Sequence, residues 1–228
     1  MRTRSLTDLI SDVRLRTDMV NSTFVSDAEI TEYINQELAE LWGHIVQSSG
    51  QPHYRSSTSV SVVAGTAFYP LPSDFWQVQG VEATIDGIIV TIRPFMAAEH
   101  AAMQRQARYP YANRIRYRVQ AGNIEFQPTT DTFPATLFYT PSCPRLVSGG
   151  DTFDGFNGYE VAAIYGACAI LQSKEETDPS FYEGRKAAIY RQIDSLAAQR
   201  DASEPERVQD VTGENDADRW LRPWGFWL

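Results

Sequence analysis

Few side chains in this sequence are placed to do chemistry. His44, His53 and His100 stand far apart, and none falls at zinc-ligand or nucleophile spacing. Cys143 and Cys168 form no pair motif, so they read as small buried residues and not as a disulfide or a redox centre. Glu29, Glu32 and Glu37 fall on one predicted helix. Two carboxylates flanking a cleft could cleave a glycosidic bond if burial raised the pKa of one of them, but nothing here marks a cleft. Ser26-Asp27-Ala28-Glu29 instead has the form of a helix capping box, in which serine and glutamate satisfy free backbone amides. Gly149-Gly150 lacks the lysine and serine of a phosphate loop. No catalytic, cofactor-binding or metal-binding residue is expected, and the chain reads as a protein without enzyme activity.

Arginine offers a different chemistry. Only Lys174 and Lys186 are lysines among the 20 basic residues, and arginine suits bidentate contacts at interfaces. Arg105, Arg108, Arg114, Arg116 and Arg118 occur with no acid among them and with Tyr109, Tyr111 and Tyr117 interleaved. Arg114, Arg116 and Arg118 alternate, so on a strand they share one face. That row could hold phosphates or an acidic partner. It could equally be a solvated face paired with Glu125 across a hairpin.

The third feature is the C-terminus. Three of the five tryptophans lie in residues 219–228. Trp220, Leu221, Trp224, Phe226, Trp227 and Leu228 make an aromatic plug on an acidic tether, residues 201–218, whose net charge is −6. The plug itself carries +2, which leaves −5 for the first 200 residues out of −9 overall. An acidic whole argues against a dedicated nucleic-acid binder. The plug could fold back on its own helices, dock on a neighbour or lie on a membrane surface, and the acidic tether disfavours an anionic membrane.

These features must be positioned by elements the sequence spells out. Leu6, Leu9, Ile10 and Val13 predict a short helix over 5–15. Ile30, Tyr33, Ile34, Leu38, Leu41, Trp42 and Ile45 predict a longer one ending near Gln47. From residue 54 the period changes to that of strands. These cover 54–63, 68–69, 78–84, 88–92, 114–119, 124–126 and 135–140, with a hairpin at Asp86-Gly87 and a helix from Phe95 to Arg105. Helices are expected again from Tyr159 to Thr177 and, after Asp178-Pro179, to Arg200. The expected fold is α+β. A four-helix bundle core (1–53 and 143–200) carries a β-rich insertion (54–142) between helices 2 and 3, followed by the tether (201–218) and docking peptide (219–228) as an extended arm. No run is long and apolar enough for a membrane span, and no signal peptide follows Met1, which points to a protein made and kept in a cytoplasm.

The order of elements resembles the head-to-tail adaptor (connector) proteins of tailed bacteriophages. The resemblance is carried by Leu6-Thr7-Asp8-Leu9-Ile10, by Val25-Ser26-Asp27-Ala28-Glu29-Ile30-Thr31-Glu32-Tyr33-Ile34-Asn35, and by Val63-Ala64-Gly65-Thr66-Ala67-Phe68-Tyr69-Pro70-Leu71-Pro72-Ser73-Asp74-Phe75. It implies a virion structural protein at the head–tail junction, assembled in the host cytoplasm, that joins the portal protein to a tail tube or nozzle protein. It further implies a homo-oligomeric ring of 12 copies through which genomic DNA passes without sequence-specific binding. The C-terminal arm would embed in the portal, and the arginine row would face the tail or the next subunit. Two other classes remain open at this point: a tail-associated peptidoglycan hydrolase using Glu29 or Glu32, and a monomeric module whose aromatic tail recognises another protein.

Overall fold

The computed structural model describes residues 3–48, 54–100, 115–128, 130–155 and 158–197. The chain opens with β1 (Thr3–Ser5), α1 (Leu6–Arg16) and α2 (Asp27–Ser48). Seven strands follow: β2 (Ser56–Val62), β3 (Phe68–Pro70), β4 (Phe75–Ile85), β5 (Ile88–Pro94), β6 (Arg116–Gln120), β7 (Asn123–Gln127) and β8 (Phe133–Pro141). A short β9 (Thr152–Asp154) then leads to α3 (Glu160–Lys174) and α4 (Ser180–Ala197).

The helix boundaries have local causes. Ser5 Oγ accepts the Asp8 amide and starts α1, and Ser26 Oγ accepts the Glu29 amide at 3.2 Å and starts α2. The Glu29 carboxylate does not reach back to complete the capping box. It is held by Lys174 and by the Tyr33 hydroxyl. Asp178 accepts the Ser180 amide and caps α4. Val25, just before α2, is buried, whereas Phe24 stays exposed.

The seven strands form one sheet in the order β2-β8-β4-β5-β6-β7-β3. Its first and last strands, β2 and β3, are consecutive in the chain. The Tyr69 hydroxyl on β3 accepts the Val63 amide at 2.7 Å, so the sheet curls until its edges nearly meet. Each tight reversal uses a left-handed backbone. Asp86 and Gly87 have φ 52° and 79°, and Ala121 and Gly122 have φ 47° and 77°. All pairs are antiparallel except β5–β6, which is parallel. A parallel pair cannot be joined by a tight turn, and the excursion between Pro94 and Arg116 makes the crossover. In place of the first part of the helix expected over 95–105 stands a 3₁₀ turn, Ala97–Glu99. The rest of that helix, with Arg105, Arg108 and Arg114, lies outside the described residues.

The expected four-helix bundle core is not the architecture. The molecule is mixed α+β, and its large sheet encloses an apolar core of its own from Val62, Val81, Ile92, Tyr117, Ile124, Phe126, Phe133 and Leu137. The helices form a separate layer centred on α3. Ala162, Ala163, Ile164, Ala167, Cys168 and Leu171 bury α3 around most of its circumference, against α1, α2 and α4. A bundle needs four comparable helices sharing one seam. Here α1 has only 11 residues and α3 is enclosed, so the arrangement is one covered helix with three neighbours. Phe153 on β9 and Leu146 complete that core, and β9 pairs with β1 in a small second sheet.

The layer and the sheet meet at Trp42. Its ring stacks on Tyr54 with centroids 3.5 Å apart, and its indole N–H donates to the Pro141 carbonyl at 3.1 Å. Tyr54 in turn donates its hydroxyl hydrogen to the Asp154 carbonyl.

Candidate functional site

The residues able to form catalytic or metal centres are engaged elsewhere. Among the described residues, no group of three or more His, Cys, Asp or Glu side chains could hold a metal ion. Cys143 and Cys168 are pushed up to about 12 by burial, the opposite of an activated thiolate. His44 stacks on Tyr190 and lies 3.0 Å from Asp194. His53 lies outside the described residues. The Glu29 carboxyl is held below its ordinary range by hydrogen bonds from Lys174 and Tyr33, whereas a proton donor in glycoside cleavage needs the reverse. Glu32 binds Arg145 through both oxygens, at 2.6 and 2.8 Å.

Among the carboxylates of the helical layer, Glu37 is raised by burial. The Glu37 side chain on α2 is almost fully enclosed, and its Oε2 lies 2.6 Å from Lys186 Nζ on α4. Burial raises its pKa, and Lys186 pulls it back. Burial alone would lower the Lys186 ammonium, but Glu37 and Glu40 together outweigh it and raise it. Gly166 on α3 makes room for this carboxylate: a Cβ there would fall 1.9 Å from Glu37 Oε2. The arrangement ties α2, α3 and α4 together, and no reaction follows from it.

The outer face of β5, β6 and β7 is of another kind. Ile92, Tyr117, Ile124 and Phe126 point into the sheet's core. Alternation therefore sends Arg93, Arg116, Arg118, Glu125 and Gln127 to the opposite side. Glu125 is fully buried there. Arg118 reaches one of its oxygens at 2.8 Å, and Gln127 and His100 reach the other at 3.1 Å each. The Arg118 guanidinium also lies over the Phe95 ring. The strand register makes this pairing, since Arg118 is the direct partner of Glu125 across the β6–β7 hairpin. The pairing expected between the arginine row and Glu125 is thus present for Arg118.

Arg116 is different. Its register partner on β5 is Arg93, so two guanidinium groups share one rung of a parallel pair. Arg93 is exposed and Arg116 half-buried, and neither forms an ion pair with any described carboxylate. Glu82, on the same outer face of β4, lies beyond ion-pair distance of both. Sequence reasoning missed Arg93 because its place beside Arg116 depends on a parallel crossover that no local pattern announces. The plug residues Trp220, Leu221, Trp224, Phe226, Trp227 and Leu228, and the tether before them, lie outside the described residues.

No helix among the described residues is long and apolar enough to cross a membrane. The described surface therefore offers paired charges, one uncompensated arginine pair and scattered exposed apolar side chains, which is the equipment of a structural protein that meets partners. Comparison with protein families gives that class its name. The profile of the family described as SU10 adaptor protein matches residues 4–214, and the chain belongs to that family. It is thus a bacteriophage adaptor, a structural component of the virion. Comparison with curated proteins finds no match.

Proposed function

We propose that the protein is a ring-forming head-to-tail adaptor that joins the portal to the tail and continues the DNA channel, with residues 219–228 docking in the portal. The observation that carries this reading is the family match, which spans both the helical layer and the sheet and ends at residue 214, before the aromatic peptide. The shared part is then the adaptor body, and the peptide beyond it is this chain's own attachment device. In support, the two apolar cores are built from residues between Leu6 and Ile193. A ring closed by head-to-tail contacts needs two different patches on each subunit. The arginine-bearing face formed by Arg116 and Arg118, with Arg105, Arg108 and Arg114 close by in sequence, is one of them. It turns toward an acidic neighbour in the ring or the tail. A channel wall with an acidic balance lets DNA slide, where a basic wall would hold its phosphates.

The test is the mass of the species formed when the purified chain meets its portal, measured by native mass spectrometry. A single closed assembly of about a dozen copies on the portal is the expected result, in keeping with the preference of homo-oligomers for closed symmetry. Persistence of monomer beside bare portal would refute the ring.

A further inference from the structure

We propose that copies of this chain join by strand addition: the hairpin end of β5 on one copy pairs antiparallel with the free edge of β2 on the next. Among the described residues, two stretches of the sheet have no strand beside them. One is the outer edge of β2, the first strand in the sheet order. The Tyr69 contact closes that edge only at its Val63 end. The other is the hairpin end of β5, because β6 reaches β5 only at Arg93 and Pro94.

The register fixes which backbone groups are free. Ser61 is the partner of Pro134 on β8. Proline has no N–H to exchange, so this is a non-hydrogen-bonded pair, and the Ser61 backbone groups point away from β8. The Val63 amide, which donates outward to Tyr69, agrees by alternation. Two-residue steps carry the same direction to Ser59 and Ser57. On β5, the turn at Asp86-Gly87 closes on the Ile85–Ile88 pair. That pair exchanges hydrogen bonds, so the backbone groups of Ile89 and Thr91 point away from β4. Each edge thus presents donors and acceptors at the same two-residue spacing.

The side chains suit one antiparallel register, with Ser59 opposite Ile89 and Ser57 opposite Thr91. Val60 then meets Ile88. Val60 is half-buried against the sheet's core, whereas Ile88 and Ile89 are 68% and 69% exposed. Edge strands that face solvent are usually blunted by charge, proline or a bulge. Ser56–Val62 has none of these and runs along β8 without a register shift. The strand at the other end of the sheet, β3, is blunted: it has three residues and ends in Pro70. The two free edges are different surfaces, so their pairing is head-to-tail and deepens the ring reading above, on which it rests. The β5 edge runs on into Arg93, which sets the arginine-bearing face beside the same junction.

Disulfide trapping tests the contact. Ser59→Cys and Ile89→Cys, made as separate full-length chains, are mixed with portal and oxidised. Partners in a hydrogen-bonded antiparallel pair have Cα atoms ~5.5 Å apart, within disulfide range. The expected result is linked dimers from the mixture, none above the unsubstituted background from either variant alone, and a ladder of multimers from a chain carrying both. Adding Ser57→Pro to the Ser59→Cys chain removes an outward N–H and leaves the β8 ladder intact. It should cut the dimer yield roughly fivefold with little change in denaturation midpoint. Adding Ile88→Lys to the Ile89→Cys chain, at an exposed position, should do the same. Dimers from Ser59→Cys alone would mean a symmetric β2–β2 contact and overturn the proposal. Yields undiminished by both Ser57→Pro and Ile88→Lys overturn it as well. A closed ring on the portal in native mass spectrometry without cross-links refutes this contact and leaves the ring standing. Cross-linked chains that never close refute the ring and leave the contact.

Discussion

The helical layer and the sheet treat their charges in opposite ways. In the layer, the charges that tie the helices together are paired inside the same chain. Glu37 has Lys186, and Lys186 has Glu40 as well. Arg14 ties the loop before α2 by donating to the Met19, Ser22 and Val25 carbonyls and to Asp27. The sheet's outer face completes one such pairing, Arg118 with Glu125, and leaves the Arg93–Arg116 rung uncompensated. The layer pairs across its helices, with Glu29 to Lys174 and Glu37 to Lys186. The sheet presents a face whose electrostatics need something more, as befits an adaptor that has to meet neighbours.

This contrast can be broken most forcefully at Lys186. Lys186→Met leaves the enclosed Glu37 without its cation and should cost about 3 kcal/mol at neutral pH, seen as a lower denaturation midpoint. The pH dependence has a definite sign. Glu37 is raised by burial, so the neutral carboxyl is the form favoured in the fold. The variant should approach the parent's stability below the ordinary glutamate range and fall behind as pH rises through the folded pKa. Loss of Lys186 with no pH-dependent penalty would mean Glu37 is better solvated than its burial indicates.

Gly166→Ala comes next. The new methyl would meet Glu37 Oε2, and the clash should lower stability by about 2 kcal/mol in a chemical denaturation curve. Glu37→Ala in the same chain should return part of it. On the sheet, Arg118→Ala leaves Glu125 with only Gln127 and His100 and should cost about 2 kcal/mol. The smallest effect sharpens the comparison most. Arg116→Ala should change stability by less than about 0.5 kcal/mol, and in the direction of stabilisation, because it relieves repulsion with Arg93. A large loss there would show that Arg116 already has a partner in the body.

How much of this was legible in the sequence depended on whether the cause was local. The striped helix after Ser26, the Asp86-Gly87 hairpin and the Ala121-Gly122 turn are specified by neighbouring residues and stand where their patterns put them. The Arg118–Glu125 pair was legible for the same reason, since a tight turn fixes which residues face each other. The bundle was misread because an apolar stripe says that a face must be covered and not what covers it. Leu6, Leu9 and Val13 are buried as expected, but in a layer around α3 with Phe153 as a further member. Three-residue strands such as β1 and β9 are too short to show a period. Glu37–Lys186 joins residues far apart in the chain, and Arg93–Arg116 requires a parallel crossover, so neither leaves a local trace.

The central claim is that the body is complete without its aromatic end and that this end binds elsewhere. A chain stopped after Asp218 tests both halves, by thermal denaturation and by co-sedimentation with portal. The account predicts an unchanged midpoint and no attachment to the portal. A midpoint lowered by several degrees, with attachment retained, would place Trp220, Trp224 and Trp227 in the protein's own core and contradict it.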